Sequence, residues 1–194
     1  MKAYYDARAL EYDDWYLGAG TFADRDRPGW SDAVHELERA VAALPPARTL
    51  DVACGTGFLT RHLRGDVTGV DQSRQMLEIA RERCPEATFV ESDALELPFD
   101  DGAFDRVFTG HFYGHLEEDA RVRFLAEARR VARALVVVDT RTQPDRAPVQ
   151  WEERVLNDGT RWGVFKRYFE PAQLVEELGG DLVLANRWFV VVRS

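Results

Sequence analysis

Lysine is almost missing from this chain: Lys2 and Lys166 are the only two, and every other basic side chain is an arginine. The arginine excess reads as compositional bias, with no basic patch evident along the sequence. Acids outnumber bases, and the formal charge of −9 argues against broad nucleic-acid contact, which requires a basic face. Cysteine is equally scarce, with only Cys54 and Cys84. Two cysteines do not build a disulfide framework, so a reducing cytoplasm is the expected setting. No stretch approaches the ~18 consecutive apolar residues of a membrane span. The opening "MKAYYDARALEYDDWY" also lacks the apolar core of a secretion signal. A cytoplasmic protein without membrane contact is expected, its oligomeric state open between monomer and homodimer.

What is present fits one globular domain. With 194 residues, 45% hydrophobic and 30% charged, the chain can bury one substantial core. Residues 1–45 read as an N-terminal helical cap: an aromatic, acidic segment over 3–17, a loop, then a helix with Ser31 as N-cap and Pro45-Pro46 as its stop. Strand and helix patterns then alternate. Strands are expected over 48–53, 66–71, 87–92, 104–110 and 134–139, and helices over 58–64, 73–83 and 117–133. In the last helix Glu117, Glu118 and Asp119 precede Arg129, Arg130 and Arg133, the charge order that suits a helix dipole. Such alternation predicts a doubly wound α/β sheet. Residues 151–169 read as a hairpin about Asn157-Asp158-Gly159, followed by a helix from Pro171 and two nearly abutting terminal strands.

The stretch "LDVACGTGFLT" (50–60) leaves a buried strand through Asp51, Ala53, Gly55 and Gly57. Glycine there lets a ligand approach the backbone, and ligands of open α/β sheets bind beyond the strand ends. The series Gly55, Gly57, Thr60 lacks the third glycine of a dinucleotide fingerprint, and Phe58 stands where a P-loop needs Lys. The charges around the loop are negative: Asp51 before it, Asp71 ending the second strand and Asp93 after the third. Three acids would repel a phosphate and attract a sulfonium or an ammonium group. The expected ligand is therefore adenosine-like, cationic and free of phosphate.

These residues resemble the class I S-adenosylmethionine-dependent methyltransferases. "LDVACGTGFLT" is similar to their first motif, with Ala53 in place of the usual leading glycine. "VTGVDQSRQMLEIA" and "ESDALELPFDDGAFDRV" resemble the segments that follow it, and "RYFEPAQLVEELGG" the last helix. The resemblance implies a mostly parallel, seven-stranded Rossmann-like sheet with helices on both faces and an antiparallel C-terminal strand. It also implies S-adenosyl-L-methionine as cofactor. Carried over by position, Ala53, Gly55 and Gly57 would approach the methionine and ribose, and Asp71 would take the ribose hydroxyls. Gln72 and Met76 would border the adenine, Asp93 and Ala94 would meet its edge, and Asp51 would orient the ammonium end. Tyr12 would contact the cofactor from the N-terminal segment, while Tyr4, Tyr5 and Trp15 would form the acceptor pocket. Alternatively, that segment is an amphipathic helix burying its aromatics.

Methyl transfer from a sulfonium needs alignment and exclusion of water, and a base only when the acceptor holds its proton. His111, at the end of the fourth strand, is the candidate base, with pocket lining as the alternative. His115 is a second candidate or a packing residue, and Gly114 stands where relatives often carry histidine. Trp151, Trp162 and Phe165 of the hairpin would serve as a lid, a sheet extension or a dimer contact. No metal site is expected. The function expected is methyl transfer from S-adenosylmethionine to a small, partly apolar organic acceptor. A nicotinamide-dependent oxidoreductase and a non-catalytic cofactor-binding protein are the competing readings.

Overall fold

The computed structural model describes residues 1–194 and opens with two short helices, α1 (Lys2–Arg8) and α2 (Asp14–Leu17), and a longer α3 (Trp30–Ala42). The α/β body then runs β1 (Thr49–Val52), β2 (Val67–Asp71), α4 (Arg74–Arg83), β3 (Thr88–Glu91), β4 (Phe104–Gly110), α5 (Glu118–Val131) and β5 (Ala132–Thr140). A hairpin of β6 (Val149–Val155) and β7 (Arg161–Arg167) precedes α6 (Pro171–Leu178), β8 (Asp181–Ala185) and β9 (Phe189–Arg193).

Seven strands form one sheet in the order β3-β2-β1-β4-β5-β9-β8. The first five are parallel, and β9 enters antiparallel between β5 and β8. The order reverses between β1 and β4, so a crevice opens there beyond the strand ends. Strand alternation sorts the core into two layers. Leu135 and Val137 of β5 face α5 and α6 with Val190 and Val192. Val136 and Val138 face α3 with Phe189 and Val191. All these valines are nearly sealed from solvent, each worth about 1.5–3 kcal/mol of burial.

Three local expectations need correction. Helix α3 starts at Trp30 after left-handed Gly29, not at a Ser31 cap. The Trp30 indole N–H donates to the Tyr16 carbonyl at 2.8 Å, so a tertiary anchor sets the start. Residues 58–64 give only one tight turn, Thr60–His62, because Phe58, Leu59, Thr60 and Leu63 are all buried, more than one helical stripe hides. The β6–β7 hairpin is a separate two-stranded sheet and does not extend the main one.

Candidate active site

Beyond β1, β2 and β4 lies a cleft of about 240 Å³. Its apolar wall is Val70, Met76, Ala94 and Leu95; Asp71, Gln72, Ser92 and Asp93 supply its polar atoms, and no lysine or arginine lines it. Asp71 joins the glycine loop to α4: its carboxylate accepts the Gly55 N–H at 3.0 Å and the Ser73 N–H at 2.8 Å. Ser73 in turn caps α4 by accepting the Met76 N–H at 3.2 Å. A carboxylate offers about four acceptor positions, so Asp71 keeps capacity for a ligand's hydroxyls. Burial pushes its pKa up, against the pull of the Ser73 and Gly55 amides. Asp93 spends one oxygen on the Leu95 N–H at 2.9 Å. An adenosine with a positive tail fits this donor set, and a pyrophosphate does not.

The N-terminal segment roofs the cleft with Met1, Tyr5 and Tyr12. Its acids are the latches. Asp6 accepts from the Ser73 hydroxyl at 2.6 Å, Asp13 accepts from the Thr56 hydroxyl at 2.6 Å and pairs with Arg83, and Glu11 accepts the Asn157 N–H at 2.8 Å.

A second, smaller chamber of about 60 Å³ adjoins the first. Tyr5, Tyr12, His111 and His115 line both, so these four side chains form the partition between them. The far wall holds Arg8, Arg25, Arg27, Arg146, Arg154 and Lys166 among Trp15, Trp30, Tyr168 and Trp188, and contains no acid. A basic patch therefore exists where the sequence showed none: its members come from α1, two loops and both hairpin strands.

Behind the partition, Asp139 at the end of β5 is fully buried. It accepts from Lys166 Nζ at 2.7 Å, the Gly114 N–H at 2.7 Å and the Thr140 N–H at 2.8 Å. Burial alone would raise its carboxyl, but the Lys166 charge, with the hydrogen bonds from Lys166 and the Thr140 N–H, outweighs it and holds it low. A Cβ at Gly114 would come within 3.0 Å of that carboxylate and 2.6 Å of the Arg167 carbonyl, so no histidine fits at this position. His111 takes a left-handed backbone (φ 57°), uncommon outside glycine. Its ring packs edge-on against Trp15 at 4.7 Å, and Nδ1 faces the Thr140 hydroxyl at 3.5 Å. Nε2 is buried without a protein partner. Burial pushes the His111 pKa down to about 3, leaving a neutral ring. His115 is fixed by Nδ1 against the Phe165 carbonyl at 2.7 Å.

The cleft gathers Tyr12, Ala53, Gly55, Asp71, Gln72, Met76, Asp93, Ala94 and His111 of the expected set. Two members fall outside it. Asp51 lies in a narrow slot behind, donating no contact to the cleft; its carboxylate accepts from the Thr60 hydroxyl at 2.6 Å, and burial raises its pKa to about 7. Gly57, at φ 75°, lines neither chamber; a Cβ there would sit at ordinary contact distance, 3.4 Å, from Ala80 and Cys84. Of the acceptor aromatics, Tyr5 and Trp15 line the second chamber. Tyr4 instead packs on Leu156 and Val164, because the hairpin covers α1. Trp151, 65% exposed, Trp162 and Phe165 line neither chamber; the hairpin contributes Arg154, Lys166 and Tyr168 instead. Strand alternation turns those side chains inward. Periodicity over β6 and β7 was the one available signal for them.

The Methyltransferase domain family profile matches residues 49–134. The demethylmenaquinone methyltransferase of Thermotoga maritima is 37% identical over 107 residues, covering 53% of this chain and 44% of that protein. The Renibacterium salmoninarum enzyme of the same name is 37% identical over 97 residues, 48% of this chain and 40% of the other. The chain thus spans less than half the length of these curated relatives. Among solved structures, the DhpI-SAM-HEP complex superposes with a TM-score of 0.76 at 27% identity, covering 98% of this chain and 94% of that one. The DhpI-SAH complex gives 0.74 at 26% identity, over 98% and 92%.

Proposed function

We propose, for a chain that belongs to the class I S-adenosylmethionine-dependent methyltransferases, that it methylates a small organic acceptor seated in the second chamber. S-adenosylmethionine would supply a methyl group already activated as a sulfonium. Asp71 would hold ribose hydroxyls, the Val70, Met76, Ala94 and Leu95 wall would take the adenine, and Asp93 its edge. The single observation that carries this reading is the pair of chambers meeting at Tyr5, Tyr12, His111 and His115, which gives donor and acceptor separate seats with one shared boundary. The latched N-terminal segment and the aromatic partition would exclude water and align the two. His111, neutral and held by Trp15 and Thr140, would position the acceptor through Nε2. The DhpI relative, solved as a complex with SAM and HEP, supports a fold that holds two ligands together.

Calorimetric titration with S-adenosylmethionine, S-adenosylhomocysteine and NAD tests the reading. Micromolar binding of the first two without NAD is the expected result; NAD binding alone would return the cleft to a dinucleotide.

A further inference from the structure

The chain carries a net charge of −9, yet the second chamber is walled by six cations and no acid. Two of the six are neutralised at contact: Lys166 by Asp139 at 2.7 Å and Arg154 by Glu152 at 2.5 Å. The other four have no carboxylate partner. Arg8 donates to the Tyr4 hydroxyl at 3.0 Å and lies over the Tyr12 ring at 4.8 Å. Arg27 donates to the carbonyls of Trp15 and Phe22 and stacks over Trp30 at 3.9 Å. Arg146 donates to the Tyr168 hydroxyl at 3.1 Å, and Arg25 lies over Phe22 at 4.5 Å. Arg154 Nε is buried without any partner. Like charges gathered in a half-buried chamber repel: desolvation and then Arg25 and Arg146 bring Arg27 down to about 10. An anion bound among them relieves that repulsion, and guanidinium forks match oxyanion geometry.

We infer that the methyl acceptor is a small, doubly charged oxyacid, a phosphonate or phosphate on one hand or a dicarboxylate on the other, held by Arg8, Arg25, Arg27 and Arg146. A dianion is favoured over a single carboxylate because four unpaired guanidinium groups face the space. This inference rests on the methyltransferase reading and names the substrate class of that same site. The step it implies needs no base. An oxyanion oxygen attacks the methyl carbon, and the O–C bond forms as the S–C bond breaks with its electron pair left on sulfur. The sulfonium becomes a neutral thioether, the dianion a singly charged methyl ester, and no proton moves. The neutral state of His111 agrees with that chemistry.

The test is calorimetric titration of propylphosphonate, succinate and uncharged propanol into protein saturated with S-adenosylhomocysteine. Propylphosphonate or succinate should bind, the stronger of the two identifying the source of the charge, and propanol should not. In Arg25→Gln and Arg146→Gln that affinity should drop about tenfold or more, while the affinity for S-adenosylhomocysteine stays unchanged and reports an intact fold. Mass spectrometry with S-adenosylmethionine should then find the methyl ester of the tighter-binding anion. Absence of binding by both anions overturns the inference. So does anion binding that displaces S-adenosylhomocysteine, because the arginines would then serve the cofactor's own carboxylate. If S-adenosylhomocysteine itself does not bind, the methyltransferase reading fails and the inference falls with it.

Discussion

Three residues at the partition and the loop make separable claims. Ala53 stands at φ 58°, where the resemblance expects glycine. A left-handed alanine costs about 1–2 kcal/mol, and glycine returns roughly 0.4–1 kcal/mol of that through the unfolded chain. Ala53→Gly should therefore raise stability by up to about 1 kcal/mol in urea denaturation. Asp71→Asn should weaken S-adenosylmethionine binding by at least about tenfold, the worth of a charged hydrogen bond, as read by calorimetry. His111→Ala should lower kcat by about tenfold or more with cofactor Kd little changed. With an oxyanion acceptor, kcat/KM should follow the acceptor's own second ionisation, about 6 for a phosphate, in wild type and His111→Gln alike; a fall on the acid side that disappears in His111→Gln would restore His111 as a base. The residues lining the first cleft were legible because they lie in contiguous runs, "LDVACGTG", "GVDQ" and "ESDA". Arg8, Arg27 and Arg146 were not legible. Arginine is abundant everywhere in this chain, and nothing local separates a surface arginine from one that folding turns inward.

At the scale of elements, the central strands and helices followed from periodicity and the charge order of α5. The errors fall where tertiary contacts overrule local rules, as Trp30 does at the start of α3 and the crowded side chains do after β1. The hairpin is the informative case. Its Asn157-Asp158-Gly159 turn was readable, but its inward face was not, since aromatics lie on both faces: Trp151 and Phe165 turn away while Trp162 stands opposite Arg154 on the face of Lys166. Lys166 ties β7 to the end of β5 through Asp139. Lys166→Met leaves that carboxylate buried without its cation and should cost about 3–5 kcal/mol. Chemical denaturation measures the loss, and adding Asp139→Asn should recover part of it.

The whole molecule separates its charges more sharply than its composition suggests, with acids around the first cleft and arginines around the second chamber inside a chain of net charge −9. Screening weakens exposed and half-exposed charges, so KM for the acceptor should rise with salt while cofactor affinity changes less. Stability should follow two buried groups with opposite signs. His111, with its pKa lowered to about 3, stays neutral in the fold while the unfolded chain takes a proton below ~6.5. Its contribution is present above that value and lost as pH falls toward 3. Asp51, raised to about 7, keeps a proton that the unfolded chain releases above ~3.9. Its contribution is full at acid pH and lost as pH rises through 7. Thermal melts across pH 4–8 should thus flatten on the acid side in His111→Gln and on the neutral side in Asp51→Asn.

Only Tyr5, Tyr12, His111 and His115 stand between a compartment with carboxylates in its wall and one walled by guanidinium groups. The proposed passage of a methyl group from sulfonium to oxyanion would lower the charge of both contents at once. Each compartment would then suit what it holds less well than it did before the bond changed, so neither product would be trapped. Arrival is favoured by the fixed charges, and departure by their having been answered.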